Sequence, residues 1–466
     1  MLRNVEFDSK DIWEKDRDHV IHPWTDYSQW EEKGSEIMAQ AEGVYVFDTD
    51  GNRFIDGIGG LWCVNIGYGR EEMADAVAEQ IRMIPYYSPF HHLGTPPAAI
   101  LADKLAELTP GTLNHTFFGT GGSMANDTAI RFAHYYWNMK GEPKRKKIIS
   151  RVDAYHGSTY LAAALTGIAA DRICFDQADY LMEHVSCPYV YRRPEGMTED
   201  QFCDHLIDEL KARIEKVGAE NIACFIAEPI LGAGGVIVPP KGYHKRTLDL
   251  CHEYDILYIS DEVVTAFGRL GHFFASEDVF GIVPDMITSA KGISSGYQPL
   301  SATIVNEKMY DVMSVPQQEG ALFTHGFTYS GHPVCCAAGL KNIEIMEKED
   351  IPGHVRKVGP YFEKKLHELA DLPLVGEVRG KCFMMCIENV ANKETKELLP
   401  GEVDVGGRIA EHAQKRGLIV RPLGHLNVMS PPLILTESQI DEFADILRQA
   451  ILATQDDLVR EGIWNG

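Results

Sequence analysis

The chain has 466 residues, too many for one small core, and reads as two or more domains on one polypeptide. Its formal net charge of −24 leaves no basic field to neutralise phosphates, which excludes nucleic acid as a partner. No apolar stretch approaches the length of a membrane span, and the charged opening MLRNVEFDSKDIWEKDRDHV lacks the apolar segment of a signal peptide.

From the N-terminus, VYVFDTDGNRFIDG predicts two strands around an Asp50-Gly51 turn. Residues 72–83 and 98–108 have helical apolar spacing. From about 110 to 310, short apolar strands alternate with helices. The strands are expected at Lys147–Ser150, Ile222–Ala227, Ile256–Ser260, Met286–Ser289 and Ala302–Val305. The intervening helices are expected at Ser123–Asn138, Phe202–Val217 and Tyr243–Glu253. Such alternation is the pattern of a largely parallel sheet covered by helices on both faces. Beyond about 335 the pattern changes to helices (334–348, 354–370, 405–416, 437–455) interleaved with strand groups Lys381–Glu388 and Leu418–Arg421. This predicts a smaller α+β domain. The expected division is an N-terminal segment 1–60 packing on the small domain or on a partner subunit, a large domain 61–333, and a small domain 334–466.

Two features read as inert. The basic run Lys144-Arg145-Lys146-Lys147 is expected to be a solvated loop ahead of a strand. The ten cysteines are scattered, several in apolar runs such as IACFIAEP around Cys224, and read as reduced thiols of a cytoplasmic protein. Cys382 and Cys386 have no second ligand pair, and Cys382 falls in a strand-like run, so no metal is expected.

Four features carry chemistry. Lys291, in DMITSAKGIS, follows an apolar strand, at the strand end where α/β proteins place ligands, and a lysine there can form an imine with a carbonyl cofactor. Its bland alternative is a solvated surface lysine. Asp261 ends the buried run ILYISD, where a lone carboxylate is costly and must be paired or functional. A helix N-cap is the other reading, and Val263, two residues on, is otherwise plain core. The loop GTGGSMAND (119–127) opens a helix, so the backbone N–H groups of Gly122 and Ser123 can hold a phosphate. It is not a P-loop, and GAGGV at 232–236 lacks the third glycine of a dinucleotide fingerprint. Tyr155-His156-Gly157 follows a strand, and its tyrosine can stack on a ring or fill the core.

In this order, these motifs resemble the class III (ω-) aminotransferases of pyridoxal 5′-phosphate (PLP) fold type I. The resemblance runs through GLWCVNIGYGR at 60–70, AEPILGAGG at 227–235, SDEVVTAFGRLG at 260–271, SAKGIS at 289–294, HGFTYSGHP at 325–333 and GLIVRPLGHLNVMSPPL at 417–433. It is nearest to the amine:pyruvate and ω-amino acid:pyruvate branch. It implies an α/β large domain with a mainly parallel, seven-stranded-type sheet and a smaller α+β domain. It implies transfer of an amino group from a primary amine or ω-amino acid to pyruvate, giving an aldehyde or ketone and L-alanine, by a ping-pong route through pyridoxamine phosphate. By position, Lys291 is the Schiff-base lysine and proton shuttle, and Asp261 pairs with the pyridine nitrogen. Tyr155, beside His156, stacks on one ring face and Val263 covers the other. Gly122 and Ser123 hold the phosphate, and Thr328 reaches the phosphate of the neighbouring subunit, implying a homodimer or a tetramer of two dimers. Arg421 matches a mobile arginine for a substrate carboxylate. Trp24, Trp62, Phe90 and Tyr155 match pocket walls, and Glu228 an acid that supports the site.

The chain departs from the family at two places. The loop usually reads GSEA, and Met124 stands here in place of the acid, which puts side-chain support of the loop in doubt. Ornithine- and GABA-type members carry a Glu at the position of Ala233, and its absence argues for the pyruvate-linked branch. A PLP aminomutase or decarboxylase would share Lys291 and Asp261. A catalytically silent α/β binding protein would keep the fold, and the intact set of Lys291, Asp261 and Tyr155 argues against it.

Overall fold

The computed structural model describes residues 5–315 and 322–465; the ends of the expected N-terminal and small domains, and 316–321 of the expected large domain, lie outside the described residues. Three strands come first: β1 (Met38–Glu42), β2 (Tyr45–Asp48) and β3 (Arg53–Asp56). Seven more form the central sheet: β4 (Leu113–Gly119), β5 (Lys147–Arg151), β6 (Met182–Val185), β7 (Ile222–Ala227), β8 (Leu257–Asp261), β9 (Met286–Ser289) and β10 (Ser301–Asn306). The last five are β11 (Val375–Lys381), β12 (Met384–Asn389), β13 (Leu418–Ile419), β14 (Arg421–Leu423) and β15 (Leu426–Met429).

The central sheet has the order β4-β10-β9-β8-β7-β5-β6. The neighbours from β9 to β6 pair in parallel, and β10 runs antiparallel to both β4 and β9. Alternation along the strands sends side chains to two separate cores, as a pleated sheet buried on both faces requires. Cys224, Ile226, Leu257 and Ile259 join one core, with Trp137 and Ile130 of the helix Gly122–Met139. Phe225, Ala227, Ile256 and Tyr258 join the other, with Leu210 and Ile214 of the helix Glu199–Val217. That second helix starts at Glu199, three residues ahead of the expected Phe202, because Thr198 and Gln201 form a capping box that satisfies two N-terminal donors.

The expected strands and helices are present, with ends shifted by a few residues. The sequence reading leaves out β4 and β6, and these are the two edges of the sheet. An edge strand is covered less completely, so its apolar run is short: β6 reads MEHV and only its first and last residues are buried. Three expectations are corrected. Cys382 lies not in a strand but in the turn between β11 and β12, on left-handed backbone (φ 50°), which divides the expected Lys381–Glu388 group in two. The group expected at Leu418–Arg421 is likewise two strands, β13 and β14, which belong to different sheets. Arg145 is not solvated. It is buried, lies over the Trp137 ring at 4.1 Å and donates to the carbonyls of Ala219, Ile222 and Asp255.

The N-terminal strands are tied to the far end of the chain, since β3 pairs in parallel with β13. The remaining sheet, β11-β12-β15-β14, is antiparallel. One buried side chain stitches these parts to the central region. Arg269 donates to the carbonyls of Phe383 (3.1 Å) and Pro431 (2.5 Å) and to Asn65 Oδ1 (2.7 Å). A buried acceptor left without its donor costs the full desolvation of that group. Arg269→Ala is therefore expected to lower unfolding stability by about 3 kcal/mol or more. Denaturant unfolding checks this, and a loss below about 1 kcal/mol would show the three acceptors finding other partners.

Candidate active site

The C-terminal ends of β5, β7, β8 and β9 open onto one cavity of about 540 Å³. This is the edge at which parallel sheets present ligands, because strand-to-loop turns converge there. Lys291, Asp261, Val263, Gly122, Ser123, Tyr155, His156, Glu228, Trp24, Trp62, Ala233 and Arg421 all line it. Segments more than 390 residues apart in sequence are thus brought to one space.

Asp261 is the last residue of β8 and is 4% exposed. Burying a carboxylate here is tolerable because three donors meet it. Asn126 Nδ2 lies 2.8 Å and His156 Nδ1 2.7 Å from Oδ2, and the Val263 N–H donates to Oδ1 at 3.1 Å. Asn126 is itself fixed, accepting from Thr288 Oγ1 at 2.7 Å and donating to the His156 carbonyl at 2.7 Å. Since the carboxylate accepts, His156 presents Nδ1–H to it, and His156 Nε2 is buried with no hydrogen-bond partner among the described residues. Sequence reasoning missed Asn126. Its available signal was a polar residue one helical turn beyond Ser123 in an apolar run.

Lys291 follows β9 on left-handed backbone (φ 49°), and no hydrogen bond or ion pair holds its Nζ among the described residues. Burial pushes its pKa down, against the opposing pull of Asp261 and Glu228. Three further cavity residues, Trp24, Trp62 and Asp153, also sit at positive φ (50°, 64° and 62°). Such backbone is unfavourable for non-glycine residues and persists only where the surroundings fix it. Glu228 accepts from the N–H groups of Tyr155 (3.0 Å) and Gly232 (2.8 Å), so it braces two loops of the wall. Burial raises its pKa, and neighbouring Asp261 adds to the rise.

The helix Gly122–Met139 begins at the cavity with no side chain capping it, which leaves its first N–H groups facing inward. The glycines there are sterically required. A Cβ on Gly122 would stand 2.9 Å from Val263 Cγ1, and one on Gly157 (φ +132°) would stand 2.4 Å from Ser123 Oγ and 2.7 Å from Ser123 Cα. Met124 is not idle, for Thr120 Oγ1 donates to its sulfur at 2.8 Å. Tyr155 meets Trp24 edge to face, with ring centroids 5.9 Å apart.

Arg421 starts β14, paired with Val428, and its guanidinium has no hydrogen bond or ion pair among the described residues. Burial lowers its pKa, while Tyr155 and Asp171 raise it. Among the described residues no carbonyl holds it as it would a structural arginine. Ala233 lines the cavity, and Asp171, an acid that the sequence did not single out, acts on the arginine. Phe90 and Thr328 are not in this chain's cavity. Both are exposed; a Cβ on Gly326 would lie 3.3 Å from the Phe90 ring, and the Thr328 carbonyl accepts from Tyr86 Oη at 2.8 Å.

Comparison with known proteins gives a consistent result. The profile described as "Aminotransferase class-III" matches residues 27–451. A putrescine–pyruvate aminotransferase of Pseudomonas aeruginosa is 43% identical over 439 residues, covering 93% of this chain and 94% of that one. A mitochondrial gamma-aminobutyrate transaminase of Oryza sativa subsp. indica is 40% identical, covering 90% and 82%. The crystal structure of an (S)-enantioselective ω-transaminase from Thermomicrobium roseum superposes with a TM-score of 0.94 at 40% identity, covering 97% and 100%.

The residues present fit a pyridoxal phosphate. An unpaired, neutral-leaning lysine, a buried acid with fixed geometry, an uncapped helix N-terminus and glycines that keep a cradle clear all face one cavity. Gly157→Ala should intrude on Ser123 and raise the dissociation constant for the cofactor at least about tenfold, about 1.4 kcal/mol, with folding retained. Titration of the apoprotein followed by absorbance checks this. Unchanged affinity would show that the cradle has slack.

Proposed function

Because the chain belongs to the class-III aminotransferases, enzymes that use pyridoxal 5′-phosphate, we propose that it moves an amino group from a primary amine or ω-amino acid to pyruvate, yielding an aldehyde or ketone and L-alanine. The observation that carries the acceptor side is Arg421, an unpaired guanidinium in a cavity that also holds Lys291. A planar fork of donors suits a small carboxylate better than a point charge does.

The cofactor supplies a carbonyl carbon that an amine can attack and a conjugated ring that takes up electron density. The protein's side chains do the rest. Lys291 Nζ, whose pKa burial pushes down, would hold the cofactor's carbonyl carbon and would carry a proton to and from the substrate carbon. Asp261 would pair with the ring nitrogen, and Asn126 and His156 hold its carboxylate in place. Tyr155 and Val263 would flank the ring, and the N–H groups of Gly122 and Ser123 would hold the phosphate. Trp62 and Trp24 bound the substrate space. Arg421 orients the acceptor's carboxylate and stands free when the donor has none.

The active unit is a homodimer in this reading. Phe90 and Thr328 match site positions of the family yet lie together on the outside of this chain, which supports their completing the cavity of a second copy. No described helix is long and apolar enough to cross a membrane.

The test is a panel of amines with pyruvate as acceptor and alanine as readout, on purified holoenzyme. Alanine should form, and Lys291→Ala should lower turnover by about 10²–10⁴-fold or more while the protein still folds. No alanine from any donor would remove the pyruvate reading, and full activity in Lys291→Ala would remove the role of the lysine. Arg421→Ala should act on one side only. It is expected to weaken pyruvate by roughly 2–5 kcal/mol while sparing the half-reaction of a carboxylate-free amine. Stopped-flow traces of the two half-reactions separate these, and equal slowing of both would make Arg421 a structural residue.

A further inference from the structure

A second hollow of about 460 Å³ adjoins the cavity, and Trp24, Tyr155, Gly157, Ala170 and Asp171 line both. Its wall adds Tyr160 and Phe175, which are 63% and 77% exposed, and a second acid, Asp176. Among the described residues no lysine or arginine lines it. Tyr160, Ile173 and Phe175 form one exposed apolar patch in this hollow rather than scattered single positions, and a contiguous patch is what marks a binding surface. Aromatic faces together with carboxylates are complementary to an organic cation, through the ring quadrupole and direct charge attraction. A donor with a carboxylate tail would instead meet Asp171 and Asp176, and a purely apolar tail would leave both acids facing it.

Resting on the amine-to-pyruvate reading, we propose that Asp171 determines donor specificity. It attracts the distal ammonium of a diamine or longer polyamine into the aromatic hollow while the other amine reacts at Lys291. Trp24 Nε1 donates to Asp171 Oδ1 at 3.4 Å, which sets the indole and the carboxylate side by side at the junction of the two spaces. Asp171 also acts electrostatically on Arg421, so it softens the positive field that a second cation would otherwise meet there.

The test uses Asp171→Asn, which keeps an oxygen for Trp24 Nε1 and removes the charge, with Asp171→Glu as the variant that retains it. On the holoenzyme, kcat/KM with pyruvate is measured for butane-1,4-diamine and for butylamine. Calorimetry compares N,N,N′,N′-tetramethylbutane-1,4-diamine with N,N-dimethylbutylamine, neither of which can give up an amino group. The wild type should prefer the diamine in both measurements, and Asp171→Asn should cut that preference roughly five- to tenfold, with Asp171→Glu closer to wild type. A preference left within about twofold of wild type by Asp171→Asn, or no preference in the wild type, overturns the inference. If neither these amines nor any donor of the panel yields alanine with the wild type, the amine-to-pyruvate reading fails. The calorimetric preference then still reports separately on Asp171.

Discussion

A carboxylate buried at the end of a central strand sets the terms for the whole site. Asp261 cannot sit 4% exposed without donors, and its own strand supplies none to Oδ2. Asn126 must come from the helix that follows β4, and His156 from the loop that follows β5. Those two side chains fix where the helix N-terminus and the Tyr155 loop stand relative to β8. Thr288 of β9 then locks Asn126, and two residues past β9 the chain delivers Lys291. The hydrogen-bond requirement of one acid therefore orders four elements around one cavity.

Another buried acid of this edge, Glu262, shows the contrast between support and chemistry. It accepts from the N–H groups of Ala275 (2.6 Å) and Ser276 (3.0 Å), from Thr265 Oγ1 (3.2 Å) and from Ser276 Oγ. All its donors come from the segment just downstream, it is fully buried, and it does not line the cavity. Adjacent in sequence, Asp261 and Glu262 point into different surroundings because successive residues at a strand end face opposite ways. One pins a loop and the other faces the cavity. The side chains of Lys291 and Arg421 differ from both in having no hydrogen-bond partner among the described residues. Groups held in place without being satisfied are the ones free to engage a ligand.

Around the cavity, four non-glycine residues on left-handed backbone sit among glycines that tolerate no Cβ. The site is thus built from turns under local strain, carried by a sheet whose interior strands are buried along nearly all their length. That division suits an enzyme that must present several side chains at fixed positions to two different substrates in turn. The aromatic hollow beside Asp171 shares Trp24, Tyr155 and Gly157 with this frame, and most of its remaining wall comes from the short helix Tyr160–Leu165 and the segment that follows it.

Much of this was legible in the sequence. Continuous apolar runs such as IACFIA located the interior strands, because a strand buried on both faces has no polar side to show. The order of Lys291, Asp261, the glycine loop and Arg421 along the chain pointed to the chemistry. The edge strands β4 and β6 were hidden because partial exposure dilutes their apolar signal. Asn126 and Asp171 were not singled out, and Gly157 was read only as part of its motif, since each matters through a neighbour that is distant or unmarked in sequence: Asn126 through Asp261, Gly157 through Ser123, Asp171 through Trp24 and Arg421. The sequence by itself determined the type of fold and pointed to candidate reacting groups, because apolar periodicity and short motifs are local properties. Only the tertiary structure decided which groups face one another, that Arg421 stands unpaired, and that Phe90 and Thr328 lie outside their own chain's cavity. Those are properties of distances between remote segments, which hydrogen bonding and packing fix only when the whole chain has closed.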